Sequence, residues 1–155
     1  MAELVAGDKA PDFELEADDG SRFKLSDHAG GKVVVYFYPK DDTQGCTIEA
    51  IDFTRAAPAF DKAGTKVVGI SPDTVASHCK FRDKHDLKIT LAADPERRAI
   101  DAYGVWAEKS MYGRKYMGVE RSTFLIGPDG RIARVWRPVR VPGHVDEVLA
   151  ASEAL

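Results

Sequence analysis

The chain has 155 residues, 44% hydrophobic and 30% charged, the composition of an ordinary globular chain of a length that suits one domain, taken here as residues 1–155. Lysine and arginine number 22 against 25 acidic residues, and a net charge of −3 gives no electrostatic footprint for nucleic acid. The longest apolar run, residues 33–38, is far below the ~18 residues a membrane span needs, and residues 1–13 show no basic or apolar leader, so no membrane association and a cytoplasmic location are expected.

In chain order, Phe13 to Leu15 and Phe23 to Leu25 alternate apolar and polar around Asp18-Asp19-Gly20, which predicts an N-terminal β-hairpin. Residues 33–38 are continuously apolar and rich in β-formers, as in a central strand buried on both faces, and Pro39 ends it. A helix over 46–63 follows from Ala50, Phe53, Ala57 and Phe60, with Pro58 expected to kink or shorten it. Residues 66–70 give a second buried strand, closing a right-handed βαβ unit. Helices are predicted over 74–85 and 95–103, a hairpin over 123–126 and 131–136 around Gly127-Pro-Asp-Gly130, and a closing amphipathic helix from Val145. Residues 112–118, with Tyr112, Tyr116 and Met117 beside Gly113 and Gly118, read as a loop. The sum is an α/β fold: a central mixed sheet flanked by helices, similar to the thioredoxin fold with an N-terminal β-hairpin extension.

Two cysteines, Cys46 and Cys79, are too few for a disulfide framework or a cysteine-based zinc site, so each is read singly. No metal or cofactor is expected. Cys46 falls in the segment that leaves the central strand and opens a helix, where α/β folds place their chemistry. The unpaired N–H groups and positive dipole end of a helix N-terminus favour thiolate over thiol. Thr43 is placed to cap that helix and to present a hydroxyl beside the sulfur, and Gly45 permits close approach of another group. On local sequence alone, Cys46 is also compatible with a small buried hydrophobe and Thr43 with a plain cap.

The string PKDDTQGC at residues 39–46 matches the P-x-x-x-[TS]-x-x-C signature of peroxiredoxins. It does so within the FYPKDDT-x-GC form of the bacterioferritin comigratory protein, or peroxiredoxin Q, subfamily. Further matching blocks begin at Gly7, Gly69, Met111 and Glu120, so the resemblance runs almost end to end. It implies a thiol peroxidase acting on hydrogen peroxide and organic hydroperoxides, recycled by thioredoxin or a similar thiol donor, and often monomeric. Cys46 would be the peroxidatic thiolate that becomes a sulfenic acid. Pro39 would shape the site, Thr43 would orient the peroxide, and Arg121 would supply positive charge near the sulfur. Glu49, one turn after Cys46, is placed to hold Arg121 through a bidentate pair.

The chain departs from the subfamily at the resolving position. Ile51 stands where many members carry a second cysteine five residues after the first. Cys79 lies in the next helix, one turn before the position used by other members, which is Arg82 here. On a helix Cys79 points ~160° away from Phe81, the better core residue, so Cys79 is expected at the margin, suited to resolving or incidental. His78, His85, His28 and His144 are expected to be satisfied or solvated rather than ligands. Arg131, Arg134, Arg137 and Arg140 read as a solvated face. A thioredoxin-type oxidoreductase would need a cysteine at Thr43, and an interaction or holdase module without chemistry would not need Thr43, Cys46 and Arg121 together.

Overall fold

Strand β3 (Lys32–Phe37) is apolar from Val33 onward because its side chains alternate between two cores. Val33, Val35 and Phe37 pack with Phe13, Phe23, Ile100, Tyr103 and Phe124, whereas Val34 and Tyr36 pack with Phe53, Phe60, Phe81 and Val148. This computed structural model describes residues 3–155; Met1 and Ala2, part of the N-terminal stretch read above, lie outside it.

Strand β4 (Thr65–Ser71) pairs in parallel with β3 and with β5 (Thr90–Ala93). On the other side of β3, β8 (Ser122–Ile126) pairs antiparallel and carries β9 (Ile132–Trp136) in the predicted second hairpin. The predicted N-terminal hairpin, β1 (Glu14–Ala17) and β2 (Arg22–Lys24), adds to the opposite edge by antiparallel β1–β5 pairing. The mixed sheet therefore has seven strands in the order β2-β1-β5-β4-β3-β8-β9. Helices α1 (Gln44–Lys62), α2 (Val75–His85) and α4 (His144–Ala154) contribute Phe53, Phe81 and Val148 to one core. Helix α3 (Arg98–Ala102) contributes Ala99 and Ile100 to the other. This is the thioredoxin-like arrangement expected. Gly69 on β4 is glycine for a local reason: a Cβ there would stand 2.6 Å from the Tyr36 ring, which lies across the strand.

Several elements differ from expectation. Helix α1 runs unbroken through Pro58 to Lys62. Pro58 sits on the exposed face, where water can take the carbonyl it leaves unpaired. Helix α3 begins at Arg98 rather than at residue 95, because Arg97 is left-handed (φ 58°) and Asp94 accepts the N–H groups of Arg98 (2.7 Å) and Ile100 (2.8 Å). Residues 112–118 are not a loop but the turn and second strand of a separate two-stranded hairpin, β6 (Trp106–Met111) and β7 (Arg114–Val119), with Tyr112 fully in solvent at its turn. β5 was not read from the sequence at all. No helix among the described residues is long and apolar enough to cross a membrane.

Candidate active site

The site forms where β3 ends and α1 begins. Tyr38 still bonds to β4 through its N–H (3.1 Å to the Ile70 carbonyl), and Pro39, lacking an N–H, then releases the chain from the sheet. Asp42 turns it with a left-handed backbone (φ 60°). Thr43 occupies the extended position before the first turn of α1, but it does not cap the helix as expected. Its hydroxyl instead donates to the Lys40 carbonyl at 2.9 Å. That bond occupies the proton and leaves the oxygen's lone pairs free to accept from a ligand.

Cys46 is the third residue of α1 and is 1% exposed, among the first-turn N–H groups that no helical carbonyl can satisfy. Arg121 meets it from the chain segment entering β8, with Nη2 3.2 Å from the sulfur. The approach is possible because position 45 is glycine: a Cβ there would stand 3.2 Å from Nη2. The guanidinium is anchored on its other side by Nη1 to Glu49 Oε1 at 2.6 Å. The pair is single-pronged rather than bidentate, and Glu49 Oε2 is buried without a partner.

Glu49 is fully enclosed, and burial pushes its carboxyl up to about 7, with the Arg121 charge pulling it back only in part. Arg121 itself is held more firmly protonated by Glu49 and Cys46, against the effect of its own burial. Two site neighbours, Lys109 and Asp41, are assigned no role by the sequence reading. Lys109 of β6 donates to the Val119 carbonyl at 2.8 Å, and its ammonium is destabilised by burial and then by the Arg121 charge. Asp41 is buried and bonds to Tyr38 Oη (2.6 Å), Ser77 Oγ (2.8 Å) and His78 Nδ1 (2.7 Å). Such three-way contacts across 37 residues leave no trace in local spacing.

Cys79 is half-buried on α2, and its thiol donates to the Asp18 carbonyl at 3.2 Å, while Phe81 fills the core at 2% exposure. Both cysteines are free thiols. His78 and His144 are buried and hydrogen-bonded, His85 contacts Asp42 at 2.9 Å, and His28 stacks on Phe23. Arg134 and Arg137 pair with Glu147 and Glu120 respectively. Among the described residues, no group of three His, Cys, Asp or Glu side chains is arranged to hold a metal ion.

A lone thiol in the first turn of the helix that follows the central strand of a thioredoxin-like sheet, facing an arginine, defines a thiol-based redox protein. The AhpC/TSA family model matches residues 6–135. The peroxiredoxin Bcp of Bacillus subtilis is 48% identical over 146 residues, 94% of this chain and 93% of that protein. The peroxiredoxin Bcp of Escherichia coli is 41% identical over 149 residues, covering 96% of both. A solved peroxiredoxin Q of Xanthomonas campestris superposes with a TM-score of 0.87 at 46% identity, over 92% of this chain and 90% of that one. A Xanthomonas campestris bacterioferritin comigratory protein, captured as trapped intermediate and ligand complexes that bear on its alkyl peroxide reduction, gives the same TM-score and coverage at 45% identity. The chain belongs to the AhpC/TSA family, as a peroxiredoxin of the Bcp, or peroxiredoxin Q, type.

Proposed function

We propose that this peroxiredoxin reduces hydrogen peroxide and organic hydroperoxides at Cys46. The observation that carries the reading is the 3.2 Å contact of Arg121 with the sulfur in the first turn of α1. The thiolate attacks the terminal oxygen of ROOH, an S–O bond forms as the O–O bond breaks, and the products are a cysteine sulfenic acid and RO⁻, which takes a proton from water. The guanidinium and the first-turn N–H groups stabilise negative charge as it passes from sulfur to the leaving oxygen. Thr43, its own proton committed to Lys40, accepts the hydrogen bond of the peroxide O–H and so fixes which oxygen faces the sulfur. Pro39 ends β3 where the segment carrying Thr43 must leave the sheet.

A thiol then attacks the sulfenic acid, expelling water and forming a disulfide, which a second thiol reduces. Thioredoxin or a similar dithiol donor suits that role, acting on a monomer. Cys79 is the proposed internal resolving thiol, since it is the one other cysteine and its half-buried thiol is held only by the Asp18 carbonyl. Bridging demands Cα atoms ~4.4–6.8 Å apart, so the first turn at Gly45 and Cys46 would unwind to reach it. The test is peroxide consumption with a thiol reductant. Wild type turns over, and Cys46→Ser folds but does not. Turnover by Cys46→Ser near the wild-type rate would end the reading.

A further inference from the structure

The segment that leaves β3 is gripped along its length by α2. Asp41 Oδ1 accepts a hydrogen bond from the Tyr38 hydroxyl at 2.6 Å, and Oδ2 faces both Ser77 Oγ at 2.8 Å and His78 Nδ1 at 2.7 Å. His78 is fully enclosed, and its Nε2 lies 3.1 Å from the Ala92 carbonyl. A carbonyl only accepts, so Nε2 bears hydrogen, and one further proton lies between Nδ1 and the Asp41 carboxylate. The backbone of Asp41 is tied as well, its N–H donating to Asp73 Oδ2 at 2.8 Å, which also holds Ser71 Oγ at 2.7 Å. One residue on, Asp42 contacts Lys84 (2.7 Å) and His85 (2.9 Å) at the far end of the same helix. Two successive aspartates therefore fasten the segment to both ends of α2, and Thr43 follows directly.

We propose that Asp41 and His78 form a positioning clamp through which α2 holds the 39–43 segment, and with it Thr43 and the first turn around Cys46, in the peroxide-reactive geometry. The proposal rests on the peroxidase reading and names residues that touch no substrate. An unpaired buried carboxylate or imidazole is costly, so the two act as one unit: loss of either partner frees the segment. A misplacement of about 1 Å at a reacting centre can cost ~100-fold in rate. A neutral alkylating agent needs no oriented hydroxyl, and loosening the segment would only help it reach a thiol that is now 1% exposed. Peroxide and alkylation rates should therefore move in opposite directions.

The experiment measures two rates at Cys46, oxidation by hydrogen peroxide and alkylation by iodoacetamide, together with the melting temperature. Asp41→Ala and His78→Ala should each slow oxidation ~10–100-fold and speed alkylation, and the double variant should be no slower than the worse single one. Asp41→Asn, whose amide can donate to Nδ1 and accept from Tyr38, should recover most of the oxidation rate. Ser152→Ala removes a buried hydroxyl bonded to Thr65 at the opposite end of β4; it should lower stability and leave the ratio of the two rates unchanged. Where Asp41→Ala does not fold, Ser77→Ala carries the test with a smaller shift in the same direction. An unchanged ratio in the clamp variants, or an equal change in Ser152→Ala, overturns the proposal. Failure of wild type to reduce peroxide would instead overturn the functional reading, and the alkylation rates would still report on the clamp.

Discussion

Replacing Arg121 by Met tests the site's electrostatics and its cost together. The guanidinium has two partners, the Cys46 sulfur at 3.2 Å and Glu49 Oε1 at 2.6 Å, and methionine keeps the unbranched stem while removing the charged head. Loss of one preorganised donor at a developing charge typically costs ~100–1000-fold in rate. A second, separable effect falls on stability. In wild type the Glu49 carboxyl rises from 4.5 to about 7, and at ~1.4 kcal/mol per unit the net of burial and the partly compensating Arg121 charge opposes folding by about 3 kcal/mol once the pH exceeds 7. The folded state holds this proton more tightly than the unfolded state, so the contribution of Glu49 is most favourable below about 4.5 and declines as pH rises toward 7. Without Arg121 only the burial remains, and the decline continues above 7. Glu49→Gln abolishes it. Denaturant midpoints from pH 4 to 9 and the bimolecular oxidation rate should show Arg121→Met slow and increasingly unstable in base. Arg121→Met/Glu49→Gln should be slow but free of the decline in stability above pH 7. Oxidation of Arg121→Met at the wild-type rate, or a decline above pH 7 that survives in the double variant, would refute the reasoning.

Thr43→Val preserves shape but removes the hydroxyl that bonds Lys40, and it should slow peroxide attack ~100-fold while iodoacetamide still alkylates Cys46 at close to the wild-type rate. Peptide mass spectrometry after one equivalent of peroxide should show a Cys46–Cys79 disulfide, and Cys79→Ser should let sulfenic acid persist and over-oxidise; wild type with Cys79 still free would make Cys79 a bystander. Burial lowers the His144 imidazole from 6.5 to about 4, so the contribution of His144 to stability should rise with pH between about 4 and 6.5. In His144→Asn that rise should be missing from the denaturant midpoints; a profile identical to wild type would mean His144 titrates alike folded and unfolded.

The sequence exposed the parts of the fold that satisfy one strong local rule. Val33 to Tyr38 had the apolar continuity of a central strand, and turn signals marked both hairpins that join the main sheet. Strand β5 was missed because Thr-Leu-Ala-Ala is short and small, and its extended state comes from the β4 and β1 neighbours rather than from its own propensity. The β6–β7 hairpin was missed because most of it faces solvent, so neither strand needs the apolar alternation that betrays a buried one. Thr43 shows the same limit on a smaller scale: a threonine before a helix matches a cap, but its hydroxyl has a competing carbonyl at Lys40. Cys46 stood out by its place at a helix start, but its contact with Arg121 was legible only through the matching sequence blocks, since 75 residues separate them.

What joins those two residues is the register of β8 on β3. Phe37 opposes Ser122, and because the strands are antiparallel, the start of one meets the end of the other beside the first turn of α1. A slip of one residue would turn Arg121 to the other face of the sheet. A slip of two would carry it ~7 Å along the strand, far outside hydrogen-bonding reach of the sulfur. The register is held by burial, since every residue from Ser122 to Ile126 is enclosed and Val33, Val35, Phe124 and Ile126 share one core. The site therefore inherits its geometry from the sheet, and the sheet also bears its cost. A fully enclosed Glu49 with one unpaired oxygen opposes folding, and no local interaction other than Arg121 offsets it. Core packing far from the sulfur is what allows a carboxylate and a guanidinium to be held, partly desolvated, beside Cys46.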